Sequence, residues 1–272
     1  MRKHSIHPAM VFQSLWNNRN LVWQMTKRDV VGRYRGSFMG LLWSFLNPLF
    51  MLTIYTLVFG YVFKNKWSEG NTGVLEFSSI LFAGLIVFNL FSECVSRAPS
   101  LILNNVSFVK KIVFPLEILP WVTIGASLFH AALSLMVLLT FHFLIHPSLP
   151  WTALFLPLVF LPLVLFILGI SWFLAGLGVY VRDVTQTIGI IIPALMFLSP
   201  IFYPMTAVPK GLHFIGYINP LCFIIEQTRG VLLWGKAPQF IELGIYFLVS
   251  WIIAWLGFSW FQKTRNGFAD VI

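Results

Sequence analysis

Acidic side chains are scarce in this sequence: nine Asp and Glu among 272 residues, against eighteen Lys and Arg. Charged residues of both signs make up only 10% of the chain, where a soluble domain carries about 25%. An ordinary soluble fold is thereby excluded. The two cysteines, Cys94 and Cys222, lie in different apolar segments, which argues against a disulfide framework. The acids expected near the cytoplasmic face (Asp29, Glu93, Glu117, Asp183 and Asp270) are scattered. No paired carboxylates are in place for catalysis, and none to complete a metal site with His142 and His146. Glu93 and Arg97, four apart, and the adjacent Arg182 and Asp183 read as local charge compensation at helix ends. The N-terminus lacks a clean apolar core and a small-residue cleavage site, so no cleavable signal is expected.

What is present is apolar and aromatic. Hydrophobic residues reach 58%, with 28 Phe, 11 Trp and 7 Tyr, and the mean hydropathy is +0.84. The fold class that follows is an all-α integral membrane protein forming one domain over residues 1–272. The stretch Lys27–Phe50 sets a basic flank (Lys27, Arg28, Arg33, Arg35) against a run without charge from Gly36 to Phe63. That run exceeds the roughly 20 residues of a membrane crossing. Six spans are predicted: Gly36–Phe63, Ser78–Arg97, Leu116–His146, Trp151–Tyr180, Thr187–Phe202 and Phe240–Phe261. Pro8–Arg28 has the pattern of an amphipathic helix lying in the interface. The loop Pro99–Pro115 is too polar to cross. With both termini cytoplasmic, thirteen of the eighteen Lys and Arg fall inside and five (Lys64, Lys66, Lys210, Arg229, Lys236) outside, as the positive-inside rule requires. The positive charge is therefore assigned to orientation and anionic lipid, not to nucleic acid.

Between spans five and six, Tyr203–Gln239 is apolar but broken by four prolines. Asn219-Pro220 is a helix start and Gly235 a stop. The helix between them is too short to cross, and a re-entrant element dipping into the outer leaflet is expected. Gly230–Lys236 matches the G-x-x-x-x-G-K spacing of a phosphate loop. Ala237 replaces the hydroxyl that would bind magnesium, so the match is read as chance. His142 and His146 are read as interfacial histidines.

Two helical stripes remain. In span one, Ser37, Gly40, Ser44, Asn47, Met51 and Tyr55 fall within about 80° of arc; in span five, Gln186, Gly189, Pro193, Met196, Pro200 and Tyr203 fall within about 100°. Such stripes either pack helices or line a pathway. The series Gly32, Gly36, Gly40 favours packing for the first turns, while Asn47 and Tyr55 lie deep enough to favour a pathway.

Several strings, in order, carry a resemblance: KRDVVGRYRGSFMGLLWSFLNPL, VFPLEILP at Val113–Pro120, YVRDV at Tyr180–Val184, LSPIFYP at Leu198–Pro204, INPL followed by Arg229, and the terminal KTRNGFADVI. Together they resemble the membrane subunit of type-2 ABC exporters, in the branch that exports bacterial O-antigen and teichoic acid. The resemblance implies a homodimeric permease of the bacterial cytoplasmic membrane with two cytosolic ATPase subunits. These would hold ATP and magnesium, leaving this chain without a cofactor. It implies a lipid-linked polysaccharide cargo on undecaprenyl diphosphate. It further implies a conduit lined by Trp43, Asn47, Phe50, Tyr55, Phe197 and Tyr203. The interface helix and the loop Pro99–Pro115 would meet the ATPases, with Lys110 and Lys111 either docking contacts or orientation charge. Arg28, Arg33 and Arg35 lie where the lipid diphosphate would enter, with orientation charge as the other account. Type-2 exporters of lipids or small molecules are the nearest alternative. A membrane-embedded glycan-modifying enzyme is the remote one.

Overall fold

A computed structural model describes residues 8–62, 73–110, 114–209, 211 and 213–272. Among them there are helices and turns but no strands. The chain opens with α1 (Met10–Asn17) and α2 (Arg19–Arg33), and α3 (Leu42–Tyr55) continues as a π-helical stretch over Thr56–Val62. Then come α4 (Val74–Arg97), the short α5 (Val106–Val109), α6 (Leu119–Ile145), α7 (Leu156–Tyr180) and α8 (Val184–Leu198). On the far side α9 (His213–Ile218) and α10 (Pro220–Leu232) precede α11 (Phe240–Thr264) and the terminal α12 (Phe268–Val271).

Among the described residues, five stretches are long and apolar enough to cross a bilayer: Leu42–Phe59, Val74–Arg97, Leu116–Ile145, Trp151–Tyr180 and Phe240–Val271. Where the charge pattern predicts a further span, α8 has 15 residues, about 22 Å of helix. It ends because Ser199 precedes Pro200 and takes an extended conformation, ψ 146°, as the residue before proline prefers. Span one also starts later than expected. Gly36 and Gly40 adopt φ of 85° and 52°, left-handed values open to glycine at little cost. A Cβ on either would meet nothing within 4 Å. These glycines therefore form a turn between α2 and α3 and are not a helix-packing series within the protomer. The interface segment likewise breaks at Asn18, whose amide donates to the Ser14 carbonyl at 2.9 Å, and α2 runs on to Arg33.

The fold is built around α4, which lies against α3, α6, α7, α8 and α10. Every residue from Phe77 to Phe91 on this helix is buried except Asn89. Behind it, α7 and α11 touch backbone to backbone. A Cβ on Gly257 would lie 2.0 Å from the Gly169 carbonyl oxygen, so glycine at this crossing permits the contact. Below, Trp172 is fully buried and donates from Nε1 to the Glu117 carbonyl at 3.0 Å. The C-terminal tail folds back onto this base. Arg265 binds Glu117 at 2.5 Å and the Phe114 carbonyl at 2.8 Å, while Phe268 is buried beside Phe261 and Tyr180.

Candidate functional site

Span one carries two different faces. On one, Trp43 and Phe50 point away from the protomer, 39% and 52% exposed. On the other, Ser44, Pro48 and Leu52 are buried. Asn47 stands at the seam, exposed yet lining a cavity of about 390 Å³ between α3, α4 and α6. Every wall of that cavity contributes polar groups at helical spacing: Ser44, Asn47 and Tyr55 from α3, Asn89, Ser92 and Glu93 from α4, and Ser127, His130 and Ser134 from α6. Tyr34 and Arg33 stand at its mouth, where α2 ends. Asn89 is about 12 Å along α4 from Arg97, at 1.5 Å per residue, deep enough that hydrocarbon would not solvate its amide.

The mouth is closed by ion pairs between α2 and α4. Asp29 accepts from both arms of Arg97, at 2.8 and 2.9 Å. Arg33 pairs with Glu93 and reaches Asp29 at 3.4 Å, and Glu93 lies 3.8 Å from Arg97. Burial pushes the Asp29 carboxyl up, but Arg97 and Arg33 outweigh it and hold the carboxyl below its ordinary value. The Tyr34 hydroxyl lies 3.5 Å from Nδ1 of His130.

At the opposite end an aromatic chain joins the ends of α3 and α8. Tyr55 and Phe59 are 6.3 Å apart, Phe59 stacks on Phe202 at 5.3 Å, and Phe202 meets Phe197 at 5.9 Å. Phe197 is 65% exposed, and the Tyr203 hydroxyl donates to its carbonyl at 2.8 Å. Both α3 and α8 are thinly covered: Ile188 and Ile192 are the buried residues of α8.

The ABC-2 type transporter family pattern matches residues 20–233, which is most of the chain. The chain belongs to the ABC-2 type transporter family. Similar proteins include the O-antigen export system permease protein RfbA of Myxococcus xanthus, 26% identical over 262 residues, with 96% of this chain and 98% of that protein covered. A protein of the same name from Klebsiella pneumoniae is 26% identical over 91% of this chain and 93% of its own length. The polysialic acid transport protein KpsM of Escherichia coli is 24% identical over 88% of this chain and 91% of its own.

The permease is thus a multi-pass protein of the bacterial inner membrane. Its structure sorts the residues singled out from sequence. Trp43, Phe50 and Phe197 share the outer surface of the protomer, whereas Asn47 and Tyr55 line the groove. Of the three arginines, Arg33 is engaged by Glu93 and Asp29, Arg28 lies 5.9 Å over the Phe108 ring, and Arg35 is exposed. Lys110 is exposed at the end of α5, while Lys111 lies outside the described residues. The G-x-x-x-x-G-K segment is no phosphate loop: Gly230 is inside α10, and Lys236 sits 5.5 Å over Trp234. His142 and His146 have ring centres 5.3 Å apart, and α4 delivers Glu76 to within 3.2 Å of His146 Nε2. The expectation of no acid nearby is corrected by that long-range contact. Even so, no group of three metal-ligating side chains is assembled among the described residues.

Two residues have roles that the sequence does not show. Arg229, in sequence an outer-side charge and the arginine that follows the INPL string, is fully buried. It donates to the carbonyls of Ile80, Pro200 and Ile201 at 2.9, 2.7 and 3.0 Å and to Glu226 at 2.8 Å. It ties α10 to α4 and to the break after α8. Asn89 was hidden in an apolar run; a lone amide between Phe88 and Leu90 was its only signal.

Proposed function

We propose that two copies of this permease form the membrane pathway for export of a polysaccharide carried on undecaprenyl diphosphate. Two cytosolic ATPase subunits supply the energy. The observation that carries this reading is the pair of thinly covered helices, α3 and α8, linked by aromatic rings and presenting Trp43, Phe50 and Phe197 outward. Facing another copy, these rings would offer a sugar chain flat apolar surfaces on which C–H faces stack. A sliding polymer needs many weak contacts, and such rings fix no register. The O-antigen permeases among the relatives support the cargo class.

In this reading the chain crosses six times with both termini cytoplasmic. α8 is one crossing, completed by the segment that follows it, and α9 with α10 dips into the outer leaflet. Asn47, at the seam of α3, and Tyr203 border the lining, while Tyr55 faces the groove behind it. Arg28 and Arg35 receive the lipid phosphates, Arg33 serves the mouth, and Lys110 and Lys111 contact the ATPases. The decisive experiment deletes the protein and identifies what accumulates. Lipid-linked glycan retained in the cytoplasmic leaflet is the expected result; a normal cell surface with no retained glycan would refute the proposal. Cysteines at Trp43 and Phe50 should react with water-soluble thiol reagents during turnover, while one at Leu52, on the buried face of α3, should not. The reverse pattern would remove these rings from the pathway.

A further inference from the structure

We infer that the groove behind span one is a second glycan-binding site, present once in each protomer, which takes a neutral, hydroxyl-rich stretch of sugar and not the lipid phosphates. The inference rests on the export reading above and adds a site to it. The cavity, about 390 Å³, falls within the ~300–1,000 Å³ typical of small-molecule sites. Asn47, Asn89 and Ser92 line it, open to the groove, and among the described residues none of their side chains hydrogen-bonds to the protein. At membrane depth, unmatched amides and hydroxyls are costly unless water or a ligand meets them.

The kind of ligand follows from charge and from donor count. The mouth holds two arginines, Arg33 and Arg97, and two acids, Asp29 and Glu93, cross-paired so that their charges cancel. A diphosphate entering the groove would find the guanidinium groups already committed and would face the Glu93 carboxylate and the amide oxygens. A sugar hydroxyl both donates and accepts, which matches Asn47, Asn89, Ser92 and Ser134. The Tyr55 ring at the outer end gives an apolar face for a pyranose ring. In this arrangement α3 is a partition, with sugar able to occupy either side.

The test uses the complete transporter, permease with its ATPase, in lipid nanodiscs. Ser134→Cys is labelled with a small water-soluble thiol reagent, and the unaltered protein, whose Cys94 and Cys222 are buried, sets the baseline. Asn89→Cys on the facing wall is the second probe should the first not assemble. Oligosaccharides released from the host's own surface glycan should slow labelling several-fold, and inorganic pyrophosphate should not. Protection by pyrophosphate alone would make the groove an anion site. Equal labelling in all conditions, or none in any, would leave no glycan site there. Either outcome overturns the inference while leaving export standing, because export is judged separately by the glycan retained in cells lacking the protein.

Discussion

Arg229 shows how much one side chain can hold in this protein. Removing it leaves the buried Pro200 and Ile201 carbonyls, which lie outside the helices, without this donor, at about 1–3 kcal/mol for each buried unmatched group. Arg229→Leu should abolish or sharply reduce folded protein, read as the monodisperse peak in detergent. Arg229→Lys, which keeps the charge but not the fork of donors, should recover only part of it. Asp29 makes a smaller contribution with a defined pH dependence. Its carboxyl is held below the ordinary value, so its stabilising effect is full above the normal carboxylate range and is lost as pH falls through the lowered value. The difference in melting temperature between the native protein and Asp29→Asn should be constant from about pH 8 to 5 and close below about pH 4. Sequence spacing exposed neither role. The partners of Arg229 on α4 and after α8 are 149 and 28 residues away in the chain, and Asp29 finds Arg97 at a separation of 68.

Among the elements, α2 and α4 are joined by the ion pairs of Asp29 and Arg33 with Arg97 and Glu93. Asp29→Arg and Arg97→Asp should each weaken this contact. The double exchange should restore it, by about 1 kcal/mol for a partly exposed pair, with recovery of transport-coupled ATPase activity as the measurement. The crossing of α7 and α11 has no such tolerance. Gly257→Ala should cost roughly 1–3 kcal/mol of overpacking and lower the thermal midpoint. Gly244→Ala, where a Cβ meets nothing within 4 Å, should be neutral. Helix existence and type were legible from hydropathy because long apolar runs leave few alternatives. The Asn219 cap was legible too, and its side chain accepts from the Leu221 amide at 3.0 Å. The turn at Gly36 and Gly40 was not, since small-residue spacing reads alike whether glycine serves packing or a left-handed φ. The two faces of α3 were merged into one stripe, because a wheel gives the angle of Asn47 but not which neighbour lies there.

At the scale of the whole molecule the buried and bare parts are unevenly divided. α4, α7 and the base formed by Glu117, Trp172 and Arg265 are enclosed, whereas α3 and α8 leave most of their surface open. An isolated permease should therefore associate through the α3 and α8 surfaces. Ile190→Glu on α8 should shift it toward single copies in light scattering, while Leu154→Glu, exposed elsewhere, should not.

The glycine contact between α7 and α11 also bears on how such a machine can move. With the Gly169 carbonyl seated where a methyl on Gly257 would be, the two helices cannot slide past one another without losing their closest approach. The two helices form a fixed pair. Displacement of one helix against the rest meets the least packing at α3 and α8, whose surfaces are mostly open, with the left-handed turn at Gly36 and Gly40 placed where α2 joins α3.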